Sequence, residues 1–165
     1  MGKAAITCMT HRFAASFYLW YNKIMPETVS LHIVCVTAVI IRQEKFLAGL
    51  RSEKEIAFPG MWEVIGGRVD GKDSLEYTLR KEIREEANVE VKDFKYIGEF
   101  EFTRPDGYHV VGLEYVCEYL SGQEKSNDPD MVEVRWMTIG EAEKLNFIPG
   151  VLDYVKKGFE IIKRK

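Results

Sequence analysis

Residues 31–41, LHIVCVTAVII, are almost without interruption apolar or β-branched. A strand of that composition has no polar face to offer water, so it must be covered on both sides. The chain therefore needs a sheet with further elements packed above and below it. Its 165 residues, 46% hydrophobic and 30% charged, supply core for one such domain and not for two.

The segments that follow fit that frame. Gln43-Glu44 allows a turn into a second strand over 45–51, which makes a hairpin. Residues 52–67 read as a loop, punctuated by Pro59-Gly60, leading into a short strand over 62–65 and closed by Gly66-Gly67. Leu75, Leu79 and Ile83 recur at spacing four and predict a helix over about 74–87. Asp73 is its expected cap, with Glu76 completing a capping box and Asn88 ending it in left-handed backbone. Residues 93–104 and 108–120 alternate as a hairpin across Pro105-Asp106-Gly107, and the polar stretch 121–130 reads as a mobile loop. A last strand over 132–137, a short helix over 140–145 and a C-terminal helix with Pro149 in its first turn complete the chain. This order predicts an α/β sandwich around a mixed sheet.

Charge and cysteine content narrow the function. With 23 basic and 26 acidic residues spread along the chain and a net charge of -3, no basic stripe suggests a long nucleic-acid partner. No apolar run approaches the roughly 20 residues of a spanning helix. The nearest, residues 14–21, lacks a cleavage pattern and does not read as a signal peptide. Residues 1–30 stand apart in character, either a packed extension or an upstream start added to a domain beginning near Met25. Cys8, Cys35 and Cys117 are odd in number and lack metal-ligand spacing. Cys35 and Cys117 read as buried core thiols, and the chain as intracellular and cytoplasmic.

The helix carries the chemistry. At about 100° per residue, Glu82, Glu85 and Glu86 fall within one arc. Glu82 lies seven residues after Leu75, and Glu86 seven after Leu79, so both border the apolar stripe and face the protein. Like charges four apart cost a few tenths of a kcal/mol, and burying unpaired carboxylates costs roughly several more. Arg84 projects away, while Arg80 and Lys81 reach only part of the arc. A solvated charged face is the simpler reading of three acids alone. The glycine pair just ahead of the helix outweighs it, because backbone there can approach a ligand unobstructed. Carboxylate and carbonyl oxygens are hard donors, which makes Mg²⁺ or Mn²⁺ the expected ion.

The stretch Gly67, Asp73, Lys81-Glu82, Ile83, Arg84, Glu85-Glu86, Ala87, Asn88, Val89 resembles the signature of the Nudix hydrolases. That signature reads Gly, five residues, Glu, seven residues, Arg-Glu, an aliphatic, any residue, Glu-Glu, any residue, Gly, an aliphatic. Asp73 stands for Glu, Lys81 for Arg and Asn88 for Gly, and Ile65 stands where many members have Pro; the three metal-binding acids are intact.

The resemblance covers about Leu31 to the C-terminus and implies a Nudix domain over 31–165, an α/β/α sandwich, with residues 1–30 outside it. It implies Mg²⁺, with Mn²⁺ as substitute, held by Glu82, Glu85, Glu86 and the backbone carbonyl of Gly66. Asp73 and Lys81 would support these acids. A further acid would come from the loop before the last strand, where Asp128, Asp130 and Glu133 are available and Asp130 or Glu133 is preferred. Glu82 or a loop acid would be the general base.

Arg51 is a candidate to meet substrate phosphate, or else a surface arginine, and Gly67 is a candidate for close backbone approach to substrate. Trp62, Phe58 and Phe102 are candidates to stack on a base, although aromatics in such strands are more often core. His109 and Tyr108 read as structural. The expected reaction is cleavage of a pyrophosphate bond in a small nucleotide, foremost a nucleoside triphosphate to monophosphate and pyrophosphate. ADP-ribose or a nucleotide sugar is the rival substrate, to which Pro105 is a weak pointer. A non-catalytic nucleotide- or metal-binding module is the rival of another class. The family also implies a homodimer.

Overall fold

The computed structural model describes residues 32–164, so the expectations for residues 1–30 lie outside it. The apolar run forms β1 (His32–Arg42), which turns at Gln43-Glu44 into β2 (Lys45–Arg51). β1 runs parallel to β6 (His109–Gly122), paired from His32 with His109 to Ile41 with Glu118. Its other side pairs with β2 only beside the turn; farther along, β4 (Ile65–Arg68) takes that place. β2 meanwhile pairs with β3 (Trp62–Glu63) and with β7 (Met131–Met137), and β5 (Val89–Thr103) closes the far side against β6. The sheet order is β3-β2-β1-β6-β5, with β4 on β1 and β7 on β2.

Both faces of β1 are covered, as its composition requires. Val36, Ala38 and Ile40 pack with Leu79, Ile83 and Ala87 of helix α1 (Leu75–Ala87). Val39 and Ile41 pack with Val155 and Phe159 of the C-terminal helix α3 (Val151–Lys163). Leu79 and Ile83 are at most 1% exposed, each burial stabilising the fold by about 1.5–3 kcal/mol. The result is an α/β/α sandwich around a mixed sheet.

Several local expectations are corrected. The short strand over 62–65 is two strands, because Trp62 and Glu63 pair with β2 while Ile65 has crossed to β1. The cap of α1 is Ser74, whose Oγ accepts the Tyr77 N–H at 3.2 Å. Asp73 is engaged in a turn, its N–H on the Asp70 carbonyl, and Glu76 pairs with Arg80 instead of closing a box. Asn88 does end α1 in left-handed backbone, at φ 55° and ψ 35°. The next helix, α2 (Ile139–Ala142), is one turn with a capping box of Thr138 and Glu141. α3 begins after Gly150, so Pro149 lies ahead of the helix rather than in its first turn. Cys117 is buried in the core, but Cys35 is only half-buried and lines a cavity.

Candidate active site

A cavity of about 650 Å³ opens where β1 exchanges β2 for β4 as its neighbour. Glu82 and Glu86 of α1, Gly66 and Gly67 of β4, and Glu63 of β3 line one part. Phe58, Phe100 and Phe102 line another, with Thr37, Glu114 and Tyr154 on the α3 face of the sheet. Eight carboxyl side chains line it against four basic ones, Arg51, Lys54, Arg68 and Arg104. Three of those four are ion-paired, Arg68 with Asp70 and Arg104 with Asp106. Arg51 is paired with Glu55 and Glu63.

Glu86 is 9% exposed, and its Oε2 accepts the Gly66 N–H at 3.0 Å. Burial, then the neighbouring Glu63, holds its carboxyl well above the usual range, with the Gly66 N–H working the other way. Glu82 is also raised, first by burial; Lys81 opposes the shift, while Glu85 and Asp128 add to it. A Cβ on Gly67 would lie 2.6 Å from the Glu82 carboxylate, so only glycine leaves room for that side chain. A Cβ on Gly66 would meet the Val36 carbonyl at 2.2 Å.

The three signature acids are not equivalent. Glu82 and Glu86 enter the cavity, whereas Glu85 is exposed and does not line it. Lys81 bridges the two settings, its Nζ 3.8 Å from Glu82 Oε1 and 3.8 Å from Glu85 Oε2. Among the described residues, no three metal-ligating side chains stand together as a ready-made cation site. The donor set nevertheless fits a hard divalent ion. Buried Glu86 is raised by burial and by Glu63, Glu82 and Asp128, half-buried Glu82 by burial and by Glu85 and Asp128, and a glycine cradle accommodates Glu82. The contact seen at Gly66 is its N–H on Glu86.

Other expected residues are placed as follows. Asp128 and Asp130 both line the cavity, and Asp128 is the loop acid whose charge reaches Glu82 and Glu86. Asp130 is tied into its loop, its N–H on Asp128 Oδ1 at 2.7 Å and its carbonyl accepting the Ser52 N–H. Glu133 lies outside, 3.5 Å from Arg135. Arg51 reaches the cavity, but its guanidinium is occupied by Glu55, Glu63 and the Ala57 carbonyl. Trp62 is 6% exposed and packs against Phe147 in the core, so it offers no stacking face to the cavity. Phe58 and Phe102 do line it, with ring centroids 5.0 Å apart. His109 and Tyr108 lie outside the cavity.

Two acids were missed in the sequence. Glu63 alternates with buried Trp62 and Val64, a pattern that reads equally as a solvent-facing position, yet its side chain is only 14% exposed. Burial raises its carboxyl and Arg51 opposes the shift. Glu114, in a run that alternates like any half-buried strand, is 2% exposed, with Oε2 accepting from Thr37 Oγ1 at 2.7 Å. Burial pushes its carboxyl up to about 8.

An α/β/α sandwich whose helix sets carboxylates against a glycine pair at a cavity is the arrangement that the signature resemblance implies. The NUDIX domain model matches residues 31–156, and the chain belongs to the Nudix hydrolase family. The NAD-capped RNA hydrolase NudC of Pseudomonas aeruginosa is 30% identical over 81 residues, covering 49% of this chain and 28% of the relative. NudC of Pectobacterium carotovorum is 22% identical over 143 residues, covering 87% of this chain and 48% of its own length, so the chain spans less than half of these relatives. The NUDIX domain of Shewanella oneidensis NrtR, solved in complex with ADP ribose, superposes with a TM-score of 0.71 at 19% identity. It covers 87% of this chain and 97% of that one, which shows the shared fold.

Proposed function

We propose that the chain is a divalent-cation-dependent pyrophosphohydrolase that cleaves the diphosphate of a small nucleotide. The observation that carries this reading is Glu86: a nearly buried carboxylate, crowded by Glu63, Glu82 and Asp128, with a backbone N–H as its hydrogen-bond partner. Such a group is unfavourable in a resting fold and favourable beside a cation. Glu82 and Glu86 would hold Mg²⁺, or Mn²⁺ in its place, with Glu85, Asp128 and the Gly66 carbonyl as further donors. The ion would supply neutralisation of the diphosphate oxygens.

Glu82, half-buried and raised toward neutrality by burial, suits the general base. It would take one proton of the attacking water as the new P–O bond forms and the bridging P–O bond breaks in line. Glu86 stays oriented by the Gly66 N–H. Lys81, between Glu82 and Glu85, would position both, and Asp73 adds a weak field at Lys81.

The cavity favours a nucleoside diphosphate carrying an organic group over the nucleoside triphosphate first expected. Its acids outnumber its bases, and three of its four bases are already paired. A triphosphate adds charge where the cavity has few cations to meet it. The aromatic wall of Phe58 and Phe102 suits a ring system instead. The names of the relatives, an NAD-capped RNA hydrolase and an ADP ribose complex, point the same way. The reading keeps small nucleotides as substrates, a cytoplasmic setting in keeping with the free thiols of Cys35 and Cys117, and a homodimer by family likeness.

The test is nucleoside monophosphate release from ADP-ribose, nucleotide sugars and NAD, and monophosphate with pyrophosphate from nucleoside triphosphates, with Mg²⁺, with Mn²⁺ and with chelator. Chelator-sensitive turnover of diphosphate-linked compounds is expected. Binding without turnover of any compound would establish a nucleotide-binding module instead.

A further inference from the structure

Thr37 and Glu114 stand opposite each other in the parallel pairing of β1 and β6, on the sheet face covered by α3. Both line the cavity on the sheet face opposite α1, and Thr37 is the cross-strand partner of Gly66. Thr37 Oγ1 donates to Glu114 Oε2 at 2.7 Å, while Glu114 Oε1 is buried and has no hydrogen-bond partner among the described residues. The nearby polar groups are spent elsewhere. Tyr154 donates its hydroxyl to the Glu99 carbonyl at 2.5 Å, Arg51 serves Glu55 and Glu63, and Arg104 serves Asp106.

An unpartnered buried oxygen destabilises a resting fold, and an apolar side chain at this position would pack the sheet with less penalty. The arrangement makes sense if a ligand completes it. We propose that Thr37 and Glu114 read the planar edge of a nucleobase, through an adjacent hydrogen-bond donor and acceptor on the Glu114 carboxyl. The inference rests on the nucleotide-hydrolase reading only in taking the ligand to be a nucleotide.

The chemistry is specific. Burial raises the Glu114 carboxyl to about 8, which favours its protonated form at neutral pH. A neutral carboxyl offers an O–H at Oε1, and Oε2 keeps a lone pair beyond the one Thr37 uses. That donor–acceptor pair matches the acceptor–donor edge of a base, whether an amide edge (C=O beside N–H) or an amidine edge (ring N beside NH₂). Phe100 and Phe102 supply apolar wall beside it, ring centroids 6.5 Å apart. A site built to satisfy a buried polar group rejects a ligand that leaves it unpaired.

The test is calorimetric binding of adenosine, guanosine, cytidine and uridine 5′-monophosphates, and of base-free ribose 5-phosphate, to the full chain with Mg²⁺. The wild type is expected to favour one base by roughly tenfold or more over ribose 5-phosphate. Glu114→Leu should lower that affinity by about the same factor and leave ribose 5-phosphate binding unchanged. Glu114→Gln, which keeps a donor beside an acceptor, should preserve the preference. Unchanged base ranking and affinity in folded Glu114→Leu overturns the inference, as does a wild type that binds no base better than ribose 5-phosphate. Should Glu114→Leu fail to fold, Thr37→Val gives the same reading, with an unchanged preference overturning the inference. Turnover without base discrimination sinks this inference alone; base discrimination through Glu114 without turnover sinks the hydrolase reading and leaves this one standing.

Discussion

The Gly66 N–H donates to Glu86 Oε2 at 3.0 Å, joining the last turn of α1 to strand β4 and holding a carboxylate inside the cavity. Glu86→Gln keeps an acceptor for that N–H and removes the charge. Without metal the variant should melt at or above the wild-type temperature, since it relieves a buried like-charge contact. Turnover should fall by on the order of 10³-fold, and the rise in melting temperature produced by Mg²⁺ should vanish. A variant that keeps the Mg²⁺-dependent rise would remove Glu86 from the metal site.

Gly67→Ala places a methyl 2.6 Å from the Glu82 carboxylate, which must then move. The expected outcome is a loss of kcat of about 10- to 100-fold, with a stability change of about 1 kcal/mol or less. Steady-state kinetics beside a urea melt checks it; an unchanged kcat would show that Glu82 is not needed where it stands.

Arg51 neutralises Glu63 in a setting where the two side chains are 18% and 14% exposed. Arg51→Met should destabilise the fold by about 3 kcal/mol, because it strands Glu63 largely buried and unpaired. Pairing it with Glu63→Gln should recover much of that loss. Denaturant melts of the two single variants and the double variant measure the coupling, and strict additivity would refute it.

Glu114 links stability to pH. Its folded carboxyl is raised to about 8 against an unfolded value near 4.5, so the folded state binds the extra proton between those limits. The stabilisation is complete below the unfolded value and is lost as pH rises toward 8, at a slope of up to about 1.4 kcal/mol per pH unit. Glu114→Gln should flatten this component between pH 5 and 8. Melts of both proteins across that range decide it, parallel curves counting against a proton held at Glu114.

Ser74→Ala should cost about 1 kcal/mol through loss of the α1 cap, while Asp73→Ala should cost little. Equal losses would return the capping role to Asp73.

Much of the scaffold was legible from local pattern. The unbroken apolar run predicted a strand covered on both faces, and β1 is that strand. Leucine spacing placed α1, and Asn88 ended it as expected, because both are decided within a few residues of chain. The one-residue error at Ser74 arose where neighbouring Asp73 and Ser74 compete for one cap, and that at Pro149 where Gly150 in left-handed backbone sets the helix start.

By itself the sequence determined which side chains share a face of α1, since the helical period depends on nothing outside the helix. Tertiary structure decided how deep each goes: packing against β4 buries Glu86, half-buries Glu82 and leaves Glu85 in solvent. It also decided that Arg51 meets Glu63 and that Thr37 meets Glu114, 77 residues away. Periodicity gives an angle about one element's own axis. Distances across a sheet come from register and from the order of strands, which no local pattern in the chain records.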